Sequence, residues 1–268
     1  MNSNNIRCMQ PLIFHDTLHT LNKYSIKCSD RFAYCEIESE GSITLSIIPD
    51  EHLICILGFD TDSLVQEASL TIAGSFTAFN LLELDSHRIH ALLFLLPEEF
   101  GILFRVLPGV FTDRAASYRD LTFPVLSGIK SVLQKLPLLP DFEDRAQLIS
   151  DINMSQPSYS PVPKSLISML GMIREVSGMI HISELSAEFV YSERHITRLF
   201  SDILGYNAKT SCRNIRFHAA LEEIQKEPHR SNSEFILNLD YSDQAHFQRD
   251  FKYYMHMTPR QYIKLISG

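Results

Sequence analysis

Short apolar segments dominate the chain from about Tyr24 to Leu107. ITLSIIPD, HLICILGF, ASLTIAGSF and HALLFLL are rich in Ile, Leu, Val and Phe, and clusters of Gly, Asp or Ser separate them. Such runs at close spacing predict strands of a β-sandwich or small barrel. From Thr112 to Ile152 the period becomes helical, with Leu126, Ile129 and Leu133 on one face and Phe142, Ala146 and Ile149 on another. These helices either cover the barrel or form a dimer contact. The stretch DINMSQPSYSPVP, residues 151–163, has three prolines, three serines and no apolar period. Proline removes backbone donors and disfavours helix in the residue before it, so this stretch is expected to be a linker. The predicted division is a β-rich domain with C-terminal helices over 1–150, a linker over 151–163 and an all-α domain over 164–268. The fold class is α+β.

After the linker the apolar period is helical almost throughout. Leu166, Met169, Leu170 and Ile173 mark a first helix that Gly178 ends. In HISELSAEFVYSERHITRLFSDILGY, Ile182, Leu185 and Phe189 form one apolar face. A three-residue break follows, and Ile196, Leu199, Phe200 and Ile203 form another face. Two short helices with a tight turn are the outline of a helix-turn-helix. Ser192 can cap the second helix, which puts Arg194, Thr197 and Arg198 opposite its apolar side. A helix entering the major groove needs this arrangement, one side held by a core and the other offering donors to base edges.

A longer helix is predicted from about Ala208 to Lys226, with Ile215, Ala219 and Ile224 inward and Pro228 beyond its end. The earlier pattern then recurs. Phe235, Ile236 and Leu239 mark a short helix, Asp240 and Tyr241 a turn, and residues from about Ser242 to Tyr254 a second helix. On that helix Phe247, Phe251 and Tyr254 make a core stripe, while Gln244, Ala245, Gln248 and Arg249 share the outward side. The domain therefore reads as two helix-turn-helix units joined by one long helix. Arg194, Thr197, Arg198, Gln244, Ala245, Gln248 and Arg249 are the candidates for base contacts. Arg suits guanine O6 and N7, and Gln suits adenine. Lys209, Arg213, Arg216 and His246 are the candidates for phosphates, which position a protein without reading sequence. Arg216 has a rival role, pairing with an acid inside the domain.

From roughly Leu166 to Ile266 the chain resembles the DNA-binding domain of the AraC/XylS family of bacterial transcription regulators. Tyr241, Asp243, His246, Phe247, Phe251, Thr258, Pro259 and Tyr262 hold the places of the family's second-unit motif. Ile182, Glu184, Leu185, Ser192, Arg198, Leu199, Phe200 and Gly205 match its first unit, and Ile215, Arg216 and Ala220 its linking helix. Asp240 and His256 stand where that family usually has turn glycines, Asn232 at a normally apolar position, and Ile236 where Ala is usual. The N-terminal segments IIPDEHLICIL, TIAGSFTAF and LFRVLPGVFTDRAASYRDL are similar to sensor-like domains that precede this DNA-binding domain in one branch of the family. The resemblance implies a jelly-roll-like N-terminal barrel that binds an effector or mediates dimerisation, with the effector itself unknown. It also implies double-stranded DNA at promoter sites, a homodimer partner and RNA polymerase as partners, and no cofactor.

Charge changes this picture only in part. The net charge of −8 is unevenly spread: residues up to Pro163 hold 11 basic against 20 acidic side chains, and the remainder 13 against 12. A C-terminal part at +1 is weakly basic for a DNA-binding module. The alternative is a small-molecule-binding or protein-interaction module whose helical domain no longer reads DNA. No apolar run approaches a membrane span, and MNSNNIRCMQ lacks the apolar region of a signal peptide, so the cytoplasm is the expected location. Cys8, Cys28, Cys35, Cys55 and Cys212 have no CxxC spacing and suit packed thiols. His246 with His256, and His87 with His90, lack the further ligands a metal site needs. No phosphate-binding glycine loop or GxSxG elbow is present, and an enzyme is not expected. The adjacent pairs Glu98–Glu99 and Glu222–Glu223 are expected to be solvated.

Overall fold

The computed structural model describes residues 12–14, 21–28, 33–39, 43–59, 69–84, 89–117, 127–151, 160–228 and 238–267. Most of the expected linker, residues 152–159, lies outside them. So do His87, Leu126 and the leading helix of the second unit, with Asn232, Phe235 and Ile236. The N-terminal strands are β1 (Leu12–Phe14), β2 (Leu21–Cys28), β3 (Ala33–Ser39), β4 (Ile43–Ile47), β5 (Leu53–Phe59), β6 (Ser69–Ala73), β7 (Asn80–Leu84), β8 (Ile89–Leu95) and β9 (Ala115–Ser117). They form two antiparallel sheets, ordered β1-β4-β7 and β2-β3-β8-β5-β6-β9. All of β5 is buried, which matches the near-continuous apolar run of LICILGF.

The helices are α1 (Pro97–Phe104), α2 (Ser127–Lys135), α3 (Phe142–Ser150), α4 (Lys164–Glu175), α5 (Ile182–Phe189), α6 (Glu193–Leu204), α7 (Ala208–Lys226), α8 (Gln244–Met255) and α9 (Pro259–Ser267). The described residues up to 117 are thus β-rich, those from 164 onward helical, and the whole α+β. Val132 and Leu133 of α2 and Ala146 and Ile149 of α3 join one core with Leu53, Leu57 and Phe59 of β5. These helices therefore cover the large sheet, which chooses between the two roles open to them from sequence. Buried Arg145 serves the same packing: it donates to the carbonyls of Leu139 and Pro140, and its guanidinium lies 5.6 Å from the Phe59 ring centre.

The segment between β4 and β5 docks on the helical part. Ile48 is buried in the same core as Phe217, Leu221 and Phe247. His218 of α7 places Nε2 2.8 Å from the Pro49 carbonyl, so that nitrogen carries the proton and donates. Asp50 accepts from the Glu51 N–H at 2.7 Å and lies 2.6 Å from His52 Nδ1. Burial would raise the Asp50 pKa, but His218 and His52 hold it well below the usual carboxylate range. Burial would lower that of His52, yet Asp50 brings it up to about 9.

Glu98 and Glu99 are not solvated. Arg174 of α4 forks onto both Glu51 oxygens at 2.9 Å and onto Glu98 at 2.7 and 3.2 Å. Glu99 accepts from the Leu96 N–H at 2.8 Å, and burial pushes its pKa up to about 7. Adjacent acids do leave a helix in different directions, but here each direction meets a donor. Glu222 and Glu223 both lie within reach of Lys226, at 3.7 and 2.9 Å.

Backbone strain concentrates at the turns of the helical part. Asp240 and His256 have positive φ, at 54° and 52°, the conformation that a turn glycine would supply. Val190, after α5, is a third such residue, with φ 55°. It is β-branched, so this conformation is an outlier, and at 88% exposure no packing compensates it. Val190 is absent from the turn positions singled out by sequence, although the three-residue break between α5 and α6 requires one left-handed residue.

Two outcomes follow from these contacts. Arg174→Met strands two largely buried carboxylates and should cost on the order of 3 kcal/mol in urea denaturation; a loss within error of zero would contradict the ionic role. Val190→Gly should gain roughly 1 kcal/mol by relieving the left-handed valine, read as a raised melting temperature in calorimetry.

Candidate nucleic-acid interface

Each of the two expected reading helices begins with a side-chain cap. The Ser192 hydroxyl accepts from the His195 N–H at 3.2 Å at the start of α6, and Asp243 accepts from the His246 N–H at 2.6 Å at the start of α8. The second helix starts at Gln244, two residues later than its period suggests, because Asp243 caps it. Both also end in a left-handed residue, Gly205 and His256.

Their buried faces differ in chemistry. Ile196, Phe200 and Leu204 of α6 enter a core with Leu166, Leu170 and Ile173 of α4 and Leu185 of α5. Phe247, Phe251 and Tyr254 of α8 pack on α7, where Phe217 stacks on Tyr254 at 4.4 Å and meets Phe251 edge-on at 5.5 Å. The Tyr254 hydroxyl donates to Asn214 Oδ1 at 2.9 Å, and Gln225 Nε2 donates to the Tyr262 hydroxyl at 2.8 Å. The aromatic residues of YSDQAHFQRDFKYYMHMTPRQY are thus mostly scaffold.

All seven candidates for base contacts are exposed: Arg194, Thr197 and Arg198 on α6, and Gln244, Ala245, Gln248 and Arg249 on α8. Arg249 Nε donates back to the Ala245 carbonyl at 3.3 Å, which lays this side chain along its own helix.

The four phosphate candidates come together. Lys209, Arg213, Arg216 and His246 line one depression of about 260 Å³, with His181 at the start of α5 and Asp250 also on its wall. Their freedom is unequal. Lys209 is exposed. Arg213 pairs with the buried Asp250 at 2.9 Å, and its guanidinium lies 4.7 Å from the Tyr253 ring centre. Burial would lower the Arg213 pKa, but Asp250 and the tyrosines raise it, so the charge is secured. Arg216 donates to the Asp240 carbonyl at 3.2 Å and the Gly178 carbonyl at 3.1 Å, and lies 3.7 Å from the Asp240 carboxylate. Among the phosphate candidates, Arg213 and Arg216 also tie α7 to its surroundings. For Arg216 the internal role is the observed one: it fastens the turn at Asp240, the position that lacks glycine.

The two histidines of the C-terminal stretch serve different neighbours. His246 Nδ1 lies 3.2 Å from the Ser242 hydroxyl, and the His256 ring stacks on Phe79 at 4.5 Å. Among the described residues no cluster of three or more His, Cys, Asp or Glu is arranged to hold a metal. Cys55 and Cys212 are free and buried, and burial pushes the Cys212 thiol up to about 11.

A helix-turn-helix domain family matches residues 185–264. No curated protein matches the chain. Solved structures similar to it include ToxT from Vibrio cholerae O395, at 10% identity, TM-score 0.46, and 90% and 100% coverage of this chain and that one. Wild-type ToxT from strain SCE256, bound to an unsaturated fatty acid, gives 13%, 0.45, and 90% and 98%. The C-terminal domain of AraT, a response regulator from Geobacillus stearothermophilus, gives 18%, 0.36, and 40% and 88%. Helices α6, α7 and α8, and α5 from Leu185, all fall within the residues that the helix-turn-helix domain family matches.

Proposed function

We propose that the chain is a sequence-specific DNA-binding transcription regulator in which α6 and α8 enter successive major grooves on one face of the duplex, ~34 Å apart. The observation that carries this reading is the division of each helix. A capped start and a buried back leave Arg194, Thr197 and Arg198, and Gln244, Gln248 and Arg249, free on the outer side. Lys209 and His246, on the wall of the depression between the units, would meet the intervening backbone. The charges of Arg213 and Arg216 would add to the local field from fixed positions.

The functional division follows the sequence: residues 1–150 as the sensor or dimerisation domain, 151–163 as linker and 164–268 as the double helix-turn-helix domain. In this reading the two sheets are walls of a jelly-roll-like barrel. Dimerisation through the acidic N-terminal domain would double the site and offset the modest affinity of a weakly basic DNA domain. The rival reading, a helical domain that has ceased to read DNA, would gain from a loose turn at Asp240. One guanidinium nitrogen of Arg216 holds both the carbonyl and the carboxylate of Asp240, so that turn does not favour the rival.

Gel shifts on the gene's own upstream region, at several salt concentrations, test the assignment. Arg198→Ala should weaken specific binding by about tenfold or more. Lys209→Ala should weaken binding to all sequences alike and reduce the salt slope by about one. Equal affinity of wild type and Arg198→Ala for the specific site would overturn the base-reading role.

A further inference from the structure

Two loops of the N-terminal domain meet the ends of both reading helices at once. They are the segment after β6, residues 74–79, and the segment before β9, residues 108–114. Backbone bonds from the Gly74 N–H to Arg114 and from the Asp113 N–H to Ser75, at 2.9 and 3.1 Å, join them into one piece. Asp113, itself left-handed at φ 56°, closes that piece with its carboxylate, which accepts from the Thr77 N–H at 2.7 Å and the Thr77 hydroxyl at 2.8 Å. A side chain at Gly74 would collide with the Phe111 backbone, so the two loops touch without a gap.

One arm of this bracket holds α6. The Thr112 hydroxyl donates to the carbonyl of Leu204, the last residue of α6. Gly109 sits so near that a Cβ would stand 2.6 Å from the Gly205 nitrogen and 2.9 Å from the Ile203 oxygen. Such proximity to the helix end leaves little room for sliding. The other arm holds α8. Phe79 stacks on His256, with ring centres 4.5 Å apart and planes 29° apart, and the Tyr253 hydroxyl donates to the Thr77 carbonyl at 3.2 Å. Tyr253 is also the ring beneath Arg213, so the contact continues through Asp250 into the second unit. The left-handed His256 acquires a purpose here, because a glycine at that position would have no ring to offer Phe79.

The geometry points to the bracket as the element that sets the distance between the two reading helices, making Phe79, Thr112 and Asp113 positioning residues for DNA recognition. It grips the C-terminal ends of α6 and α8, whereas the candidate reading residues Arg194 and Gln244 sit at their N-terminal ends. The docked arrangement is therefore open to DNA. The N-terminal domain acts as a splint across the two units, and without it the support they share among the described residues is α7. This inference rests on the DNA-reading assignment above.

The test uses the full chain and duplexes carrying its selected site, with the two half-contacts at native spacing or separated by one added base pair. One added pair moves the second half-site by about 3.4 Å and turns it by about 34°. Wild type should lose roughly tenfold or more in affinity on the added pair, as for a mismatched position. Phe79→Ala and Asp113→Ala, checked for native circular dichroism, should bind the native spacing within a few-fold of wild type. Their loss on the added pair should shrink to threefold or less, on the order of experimental scatter. A loss as large as wild type's in both folded variants, or no spacing dependence in wild type, overturns the splint. Failure of wild type to bind any duplex specifically overturns the DNA-reading assignment itself, and the splint with it.

Discussion

A helix presented to a DNA groove can be held only from behind and at its ends, and in this chain α6 and α8, the two helices proposed to read DNA, share their supports. Helix α7 supplies the first. Ala208 and Cys212 near its start belong to the core behind α6, while Phe217, Leu221 and Ile224 belong to the core behind α8. The N-terminal domain supplies the second. Its loops reach Leu204 and Gly205 at one helix end and Tyr253 and His256 at the other. The positions of the outward side chains on both helices follow from these two supports.

The two parts of the chain are also bound by charge. Arg174 gathers Glu51 from the segment before β5 and Glu98 from the first turn of α1, and His218 reaches Pro49 beside the buried Asp50. A buried ion pair adds little net stability over an apolar substitute, but it punishes misplacement heavily. Its contribution is orientation. The ionic contacts lie at α4 and α7, and the loop contacts at the ends of α6 and α8, so together they hold the helical domain at four elements.

Much of the helical domain was legible in the sequence because helix periods, caps and breakers are local signals. Ser192, the span of α7 and the buried stripe of Phe247, Phe251 and Tyr254 could be read in this way. The outward position of the seven candidate base-reading residues followed from the same periods. What escaped was long-range. Glu98 finds Arg174 76 residues away, and nothing near Glu98 encodes that partner. An acid partner for Arg216 was expected but not which one, and Arg213 gave no sign of a partner, because Asp250 and the turn at Asp240 lie beyond a helix end and an intervening segment. Val190 went unnoticed because a valine gives no compositional sign of a left-handed turn. His256 stood out only as a residue in the place of a turn glycine, and only the folded chain brings Phe79 against it.

The central claim is that α6 and α8 are set at their DNA-reading separation before DNA arrives. The most direct measurement is the distance between spin labels introduced as unnatural side chains at the exposed positions Glu193 and Lys252. The account predicts one narrow distance distribution in the free protein, unchanged when the specific duplex is added. A broad distribution that narrows on DNA, or a narrow one that moves to a new distance, would contradict it.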